Sequence, residues 1–247
     1  MANQNVQVLK AATCQLAISD TQPPQLRALS GAIAAHWARV SAETPAYFNG
    51  AVFLASAHGV AQGHAAIACV ESTFASYLYL RHNNWPAEGI ANAFGTALLV
   101  PSDGGVLCAV GAPNTVNAGS TYLPGGFIDT GDVRISPEGG RTIDIDGQIL
   151  RELAEETGLA AQTLSFGDGY LLASMPGELS IARIVRCQLP GAAIVESVRA
   201  ANAAMATPEL ADPKIVRAVP AKGDASAPPL LAYAEALLAH VFDEGLA

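Results

Sequence analysis

Residues 151–159 read Arg-Glu-Leu-Ala-Glu-Glu-Thr-Gly-Leu and put three carboxylates and one arginine on a single short segment. With Asp144 or Asp146 as the N-terminal cap and Gly158 as the stop, residues 147–157 make about three helical turns. Ile149, Leu150 and Leu153 then form the buried stripe. Glu152, Glu155 and Glu156, spaced i, i+3 and i+4, share the opposite face, where like charges cost roughly 0.2–0.5 kcal/mol per pair. An arbitrary acidic helix is usually just a solvated face. The same three carboxylates also suit a hard divalent cation, which prefers oxygen ligands and reverses the sign of their repulsion. Arg151, four residues before Glu155, can hold that carboxylate through a charge-assisted bond.

The residues upstream favour the second reading. The run Leu123-Pro124-Gly125-Gly126-Phe127-Ile128-Asp129-Thr130-Gly131-Asp132 presents a Gly-Gly pair and then an acid six residues after Gly126. Together with residues 151–159 it resembles the Nudix box, the signature of the Nudix (MutT-like) hydrolases. Two departures stand out. Asp132 occupies the place where that family usually has Glu. Eighteen residues, 133–150, separate it from Arg151 where the family has seven, an insertion of about eleven. Within the insertion Gly139-Gly140-Arg141 and Asp144-Ile145-Asp146-Gly147 read as a loop or small hairpin beside the site.

The resemblance implies a Nudix α/β/α sandwich around a mixed β-sheet, an α/β (α+β) fold, occupying residues 91–247 behind an N-terminal α+β extension, residues 1–90. It also implies Mg2+- or Mn2+-dependent cleavage of a phosphoric anhydride bond. The substrate would be a nucleoside diphosphate linked to another moiety, of ADP-ribose or nucleotide-sugar type. In this reading Glu152, Glu155 and Glu156 are the metal-binding glutamates, and Arg151 orients them. Gly125 adds a backbone carbonyl to the metal shell, and Gly126, Asp132 and Gly158 complete the box. The general base is Glu152 or an acid on a later loop, Glu178 or Glu209. A catalytically silent Nudix-like nucleotide-binding sensor is the alternative, although a sensor needs neither all three glutamates nor the arginine.

Composition narrows the setting. A hydrophobic content of 51% over 247 residues supplies a sizeable core. No apolar run reaches the roughly 18 residues needed to span a bilayer. The first residues lack a basic stretch followed by an apolar one, so a secretory signal is not expected and a cytoplasmic protein is. Cys14, Cys69, Cys108 and Cys187 form no CxxC pair and read as buried, reduced thiols. The net charge of −9 and thinly spread basic residues argue against a nucleic-acid partner. A small-molecule nucleotide is the expected partner.

Along the chain, residues 6–18 read as a strand and 25–40 as a helix. Strands at 51–57 and 63–70 form a hairpin through His58-Gly59 and its neighbours. A helix follows at 74–82, and Asn83-Asn84-Trp85-Pro86 reads as a linker in which Trp85 is more readily a packing residue than a base-stacking one. Strands at 93–100 and 106–111 flank Asp103-Gly104-Gly105, a hairpin signal. Beyond residue 159 come strands near 170–174 and at 179–189, a helix at 192–204, a strand at 214–219, a Pro- and Gly-rich loop at 220–229 and a helix at 230–242. The segment 1–90 is expected either to cap the substrate pocket or to join two copies in a homodimer.

Overall fold

A computed structural model describes residues 6–45, 47–113, 115–136, 139–220 and 228–247. The chain begins with β1 (Gln7–Ala11), β2 (Thr13–Ser19), α1 (Pro24–Ala28), α2 (Ser30–Glu43), β3 (Ala51–Ala61), β4 (His64–Thr73) and α3 (Phe74–His82). It continues through β5 (Ala91–Val100), β6 (Val106–Gly111), β7 (Thr121–Tyr122), β8 (Gly125–Phe127), β9 (Val133–Ile135), β10 (Arg141–Ile143) and α4 (Ile145–Thr157). It ends with β11 (Leu164–Phe166), β12 (Tyr170–Met175), β13 (Glu178–Cys187), α5 (Gly191–Ala204), β14 (Leu210–Val216) and α6 (Ala232–Asp243).

Nine of these strands run β1-β12-β13-β5-β3-β4-β2-β10-β9 in one mixed sheet, with β8 added on β5 and β11 on β13. The β13–β5 and β2–β4 pairs are parallel and the remaining ladders antiparallel. Successive residues of a strand face opposite sides, and β5 shows what lies on each. A side chain at Gly95 would run into Gln148 and Ile149 of α4. Its neighbour Phe94 meets the ring of Tyr233 on α6, and Phe127, opposite Phe94 on β8, meets Tyr77 on α3. Helices therefore cover both faces, α4 on one and α3 and α6 on the other, in an α/β/α sandwich. The strands from residues 1–90 belong to the same sheet as those after residue 91. No helix among the described residues is long and apolar enough to cross a membrane.

Several local expectations change. Residues 6–18 form two strands, because the chain turns at Ala12 and sends β1 to β12 and β2 to β4. The 25–40 helix is interrupted at Leu29. His58 and Gly59 lie within β3, and the β3–β4 turn is at Gln62–Gly63. The turn after β5 exists, but β5 and β6 do not pair. One edge of β5 is taken by β13 and the other by β3 and β8, so β6 joins β14 and β7 in a separate three-stranded sheet. The last strand starts earlier than expected, at Leu210. Within the loop expected at 220–229, residues 221–227 lie outside the described residues, as do residues 1–5 at the N-terminus.

Candidate active site

Helix α4 starts where Asp144 accepts a hydrogen bond from the Gly147 N–H, at 3.0 Å. Asp146, the other candidate cap, instead pairs with Arg183 at 2.8 Å, and that guanidinium is sandwiched between Phe166 and Tyr170. Gly158 ends the helix in the left-handed conformation that glycine adopts without strain, φ 68°. Ile149 and Leu153 are fully buried, whereas Leu150 is partly exposed.

The insertion closes on itself. Strands β9 and β10 form an antiparallel hairpin in which Val133 opposes Ile143, and the Asp144 N–H donates to the Asp132 carbonyl at 2.9 Å. Residues 133–143 number eleven, and seven residues remain between them and Arg151. The hairpin leaves the site where it entered, attached to the sheet edge through β2. Asp132 is 3% exposed and accepts two bonds of 3.1 Å from Arg151, one on each carboxylate oxygen. It also accepts the Asp129 N–H at 3.0 Å. Burial raises its pKa against the opposing pull of that N–H and of Arg151.

Arg151 also touches Glu152 at 2.8 Å and Glu155 at 3.4 Å. The three glutamates therefore occupy unequal environments. Glu155 is largely exposed. Glu152 is mostly buried, and its carboxyl is pushed up to about 7, chiefly by burial; Arg151 opposes the shift, and Glu155 and Glu209 add to it. Glu156 is 5% exposed; one oxygen accepts the Gly125 N–H at 2.9 Å, and the other is buried with no partner. Burial, then Glu152 and Glu209, hold its pKa well above the carboxylate range. Among the described residues no three acidic, histidine or cysteine side chains are arranged as a ready ligand set.

Strand β8 holds the glycine pair against this helix. A side chain at Gly126 would collide with the Glu152 carboxylate, so only glycine permits that approach. Gln148, fully buried on α4, donates to the carbonyls of Gly126 and Phe127 at 3.0 and 3.3 Å and fixes the spacing. The sequence reading did not single out Gln148. Its position one turn before Glu152, on the face that carries the glutamates, was the available signal.

On the opposite face of the sheet a cleft opens beside Gly125 and Gly126, bounded by α3, α6 and the segment 115–117. Glu178 and Glu209 both line it, in different places. The charge of Glu209 acts on Glu152 and Glu156. The charge of Glu178 acts on Arg81 and on Tyr77 and Tyr233, and Tyr233 feels Glu156 as well. Arg81, Asn92, Tyr122 and Tyr233 are cleft residues that the sequence reading missed, because nothing local in the chain marks them. Trp85 packs its ring over Gly177 and against Tyr77, the packing role.

No family model matches the sequence, and no curated protein matches it. Among solved structures the chain is similar to RenU, a Nudix hydrolase from M. smegmatis, at 16% identity over 63% of this chain and 85% of that one, with a TM-score of 0.37. It is also similar to the MutT protein of Methanosarcina mazei Go1, at 20% identity over 63% of this chain and 95% of that one, with a TM-score of 0.39. At these values the likeness adds no detail of substrate or mechanism, and the reading of the site rests on its own geometry.

Proposed function

We propose that the chain is a metal-dependent Nudix-type hydrolase that cleaves the pyrophosphate of a nucleoside diphosphate linked to another moiety, of ADP-ribose or nucleotide-sugar type. The observation that carries this reading is the unpartnered, buried oxygen of Glu156. An ionised carboxylate without a partner is costly in such a place, and here Glu152 and Glu209 add repulsion. A proton or a divalent cation relieves these terms, and two buried carboxyls beside a backbone carbonyl are oxygen donors of the kind that suit Mg2+ or Mn2+. Glu152 and Glu156 would hold it, with Glu155 and the Gly125 carbonyl as further oxygen donors. When bound, such an ion neutralises pyrophosphate charge and makes a coordinated water more acidic.

The chain's own residues supply the rest. Arg151, anchored on Asp132, holds Glu152 and Glu155 at the site, and Gly126 admits the Glu152 carboxylate next to the backbone of β8. Hydrolysis adds water across one anhydride bond, so a base must take a proton from the attacking water. The charges of Glu152 and Glu209 act on the Glu156 carboxyl, so either suits that role better than Glu178, whose charge acts on Arg81. The sensor reading retains one supporting observation, the exposure of Glu155.

The test is phosphate release, after phosphatase treatment, from ADP-ribose, ADP-, UDP- and GDP-sugars, NADH and dinucleoside polyphosphates with Mg2+ or Mn2+. Turnover that disappears in Glu156→Gln is expected. Turnover that survives this substitution, or binding without turnover of any compound, would overturn the hydrolase in favour of another site or of the sensor.

A further inference from the structure

The cleft beside Gly125 and Gly126 contains polar groups that the chemistry of cleavage does not use. The parallel register of β13 and β5 sets Glu178 beside Asn92, both facing the cleft. Asn92 is 5% exposed, and its side-chain oxygen has no hydrogen-bond partner. The Glu178 carboxylate makes no hydrogen bond or ion pair with any described residue, although it feels the charge of Arg81. Arg81 is held in place by donating to the Tyr77 hydroxyl at 2.5 Å and to the Asn117 side-chain oxygen at 3.0 Å. It makes no ion pair within 4 Å among the described residues. Phe94 and Phe127, paired across β5 and β8, supply an aromatic floor, and Tyr77 and Tyr233 stand against them.

A buried acceptor without a donor is a liability unless a ligand supplies the donor. The enclosed volume is about 90 Å³, well below the roughly 300–1,000 Å³ of sites that take whole ligands. The cleft therefore accepts one end of a ligand whose remainder lies at the glycine pair. An aromatic floor suits a flat ring, and the polar groups fix its hydrogen-bonding edge. Arg81 only donates; an ionised Glu178 only accepts, at two oxygens. The complementary edge offers one acceptor and adjacent N–H donors. Guanine presents that order on its Watson–Crick edge, O6 followed by N1–H and the N2 amino group. Adenine offers a single amino donor there, uracil one N–H between two carbonyls, and cytosine one amino group beside two acceptors.

Building on the hydrolase reading of the neighbouring site, we propose that this cleft is a base-recognition site selective for guanine, with Glu178 and Asn92 accepting from the base and Arg81 donating to it. Within the substrate class proposed above, this favours a guanosine diphosphate linked to a second moiety over ADP-ribose.

The test is calorimetric titration of the full chain with GDP, ADP and UDP in EDTA, so that binding is read without turnover. GDP is expected to bind about tenfold more tightly than ADP or UDP, in line with the discrimination typical of a bidentate base contact. In Glu178→Gln the GDP affinity should fall by about that factor while ADP and UDP change by less than about twofold. Arg81→Gln, at a partly exposed position, should narrow the same gap and serves if Glu178→Gln does not fold. Equal affinities in the wild type, a gap unchanged in both variants, or no binding of any nucleotide would overturn the proposal. Guanine preference without turnover on the substrate panel would leave this inference standing and remove the hydrolase; turnover without base preference would do the reverse.

Discussion

The two sides of β8 differ in how their residues are brought together. On the α4 side, Arg151, Glu152, Glu155 and Glu156 come from one helix, and Asp132 joins them from nineteen residues upstream. On the cleft side, Tyr77 and Arg81 come from α3, Asn92 and Phe94 from β5, Glu178 from β13 and Tyr233 from α6. The α4 side is crowded with like charge and gains from a cation. The cleft side holds Arg81, the carboxyls of Glu178 and Glu209 and the unpartnered amide oxygen of Asn92 at fixed places. A cluster of like charges serves chemistry common to every substrate of a class, whereas groups of mixed polarity around an aromatic floor discriminate between substrates.

This contrast can be broken most directly at Arg151. Arg151→Lys keeps the charge but cannot reproduce a guanidinium spanning both oxygens of Asp132 while touching Glu152. Turnover should fall by about 10- to 100-fold, the range for groups that orient metal ligands, and by the same factor for every substrate on the panel. A loss confined to guanine nucleotides would erase the division between the two sides.

A smaller effect tests the charge stored on the α4 side. Glu156→Gln removes a buried carboxylate that lies against Glu152 and Glu209, while its carboxamide keeps an acceptor for the Gly125 N–H. In EDTA the variant should be the more stable at about pH 8, seen as a higher denaturation midpoint, by a margin that shrinks toward about pH 5. A carboxyl whose folded pKa is raised costs the wild type stability as pH rises above its unfolded value. In Mg2+ or Mn2+ the order should reverse, because only the wild type gains from binding. A variant less stable than the wild type in EDTA would show that the carboxylate is not strained.

The smallest effect belongs to the contact of α2 with α3, the helix that bounds the cleft. His36 on α2 and His82 on α3 face each other at 3.1 Å, and both pKa values lie below 6.5, lowered first by burial and then by neighbouring cationic groups. The unfolded chain takes up these protons first, so the stability from this contact is full above about pH 6.5 and is lost as pH falls below it. The melting temperature should fall between pH 7.5 and 5.5, and less so in His36→Gln. An equal fall in both proteins would remove the histidine pair as the cause.

Much of the α4 side was legible from residues alone. The spacing of Glu152, Glu155 and Glu156, the Asp144 cap and the Gly158 stop are local properties of a helix and survive any tertiary arrangement. The alternation in β3 and β4 and the helix at α3 were legible for the same reason. The β5–β6 hairpin failed because a turn signal reports the direction of the chain and not whether the edges of β5 are free. That Glu178 and Glu209 line one cleft was equally invisible, since it depends on how β13 and the segment before β14, far apart in the chain, are packed together.

The sequence by itself determined a carboxylate-bearing helix, a glycine pair ahead of it and an arginine to hold them, because each follows from helical periodicity and backbone sterics over a few residues. Only the tertiary structure decided that β9 and β10 pair and return Asp132 to Arg151. It also decided that Glu156 is buried while Glu155 is not, and that α3 of the N-terminal segment walls the cleft. Those outcomes rest on strand pairing and burial between residues far apart in the chain, where many pairings are open to a sequence and packing selects one.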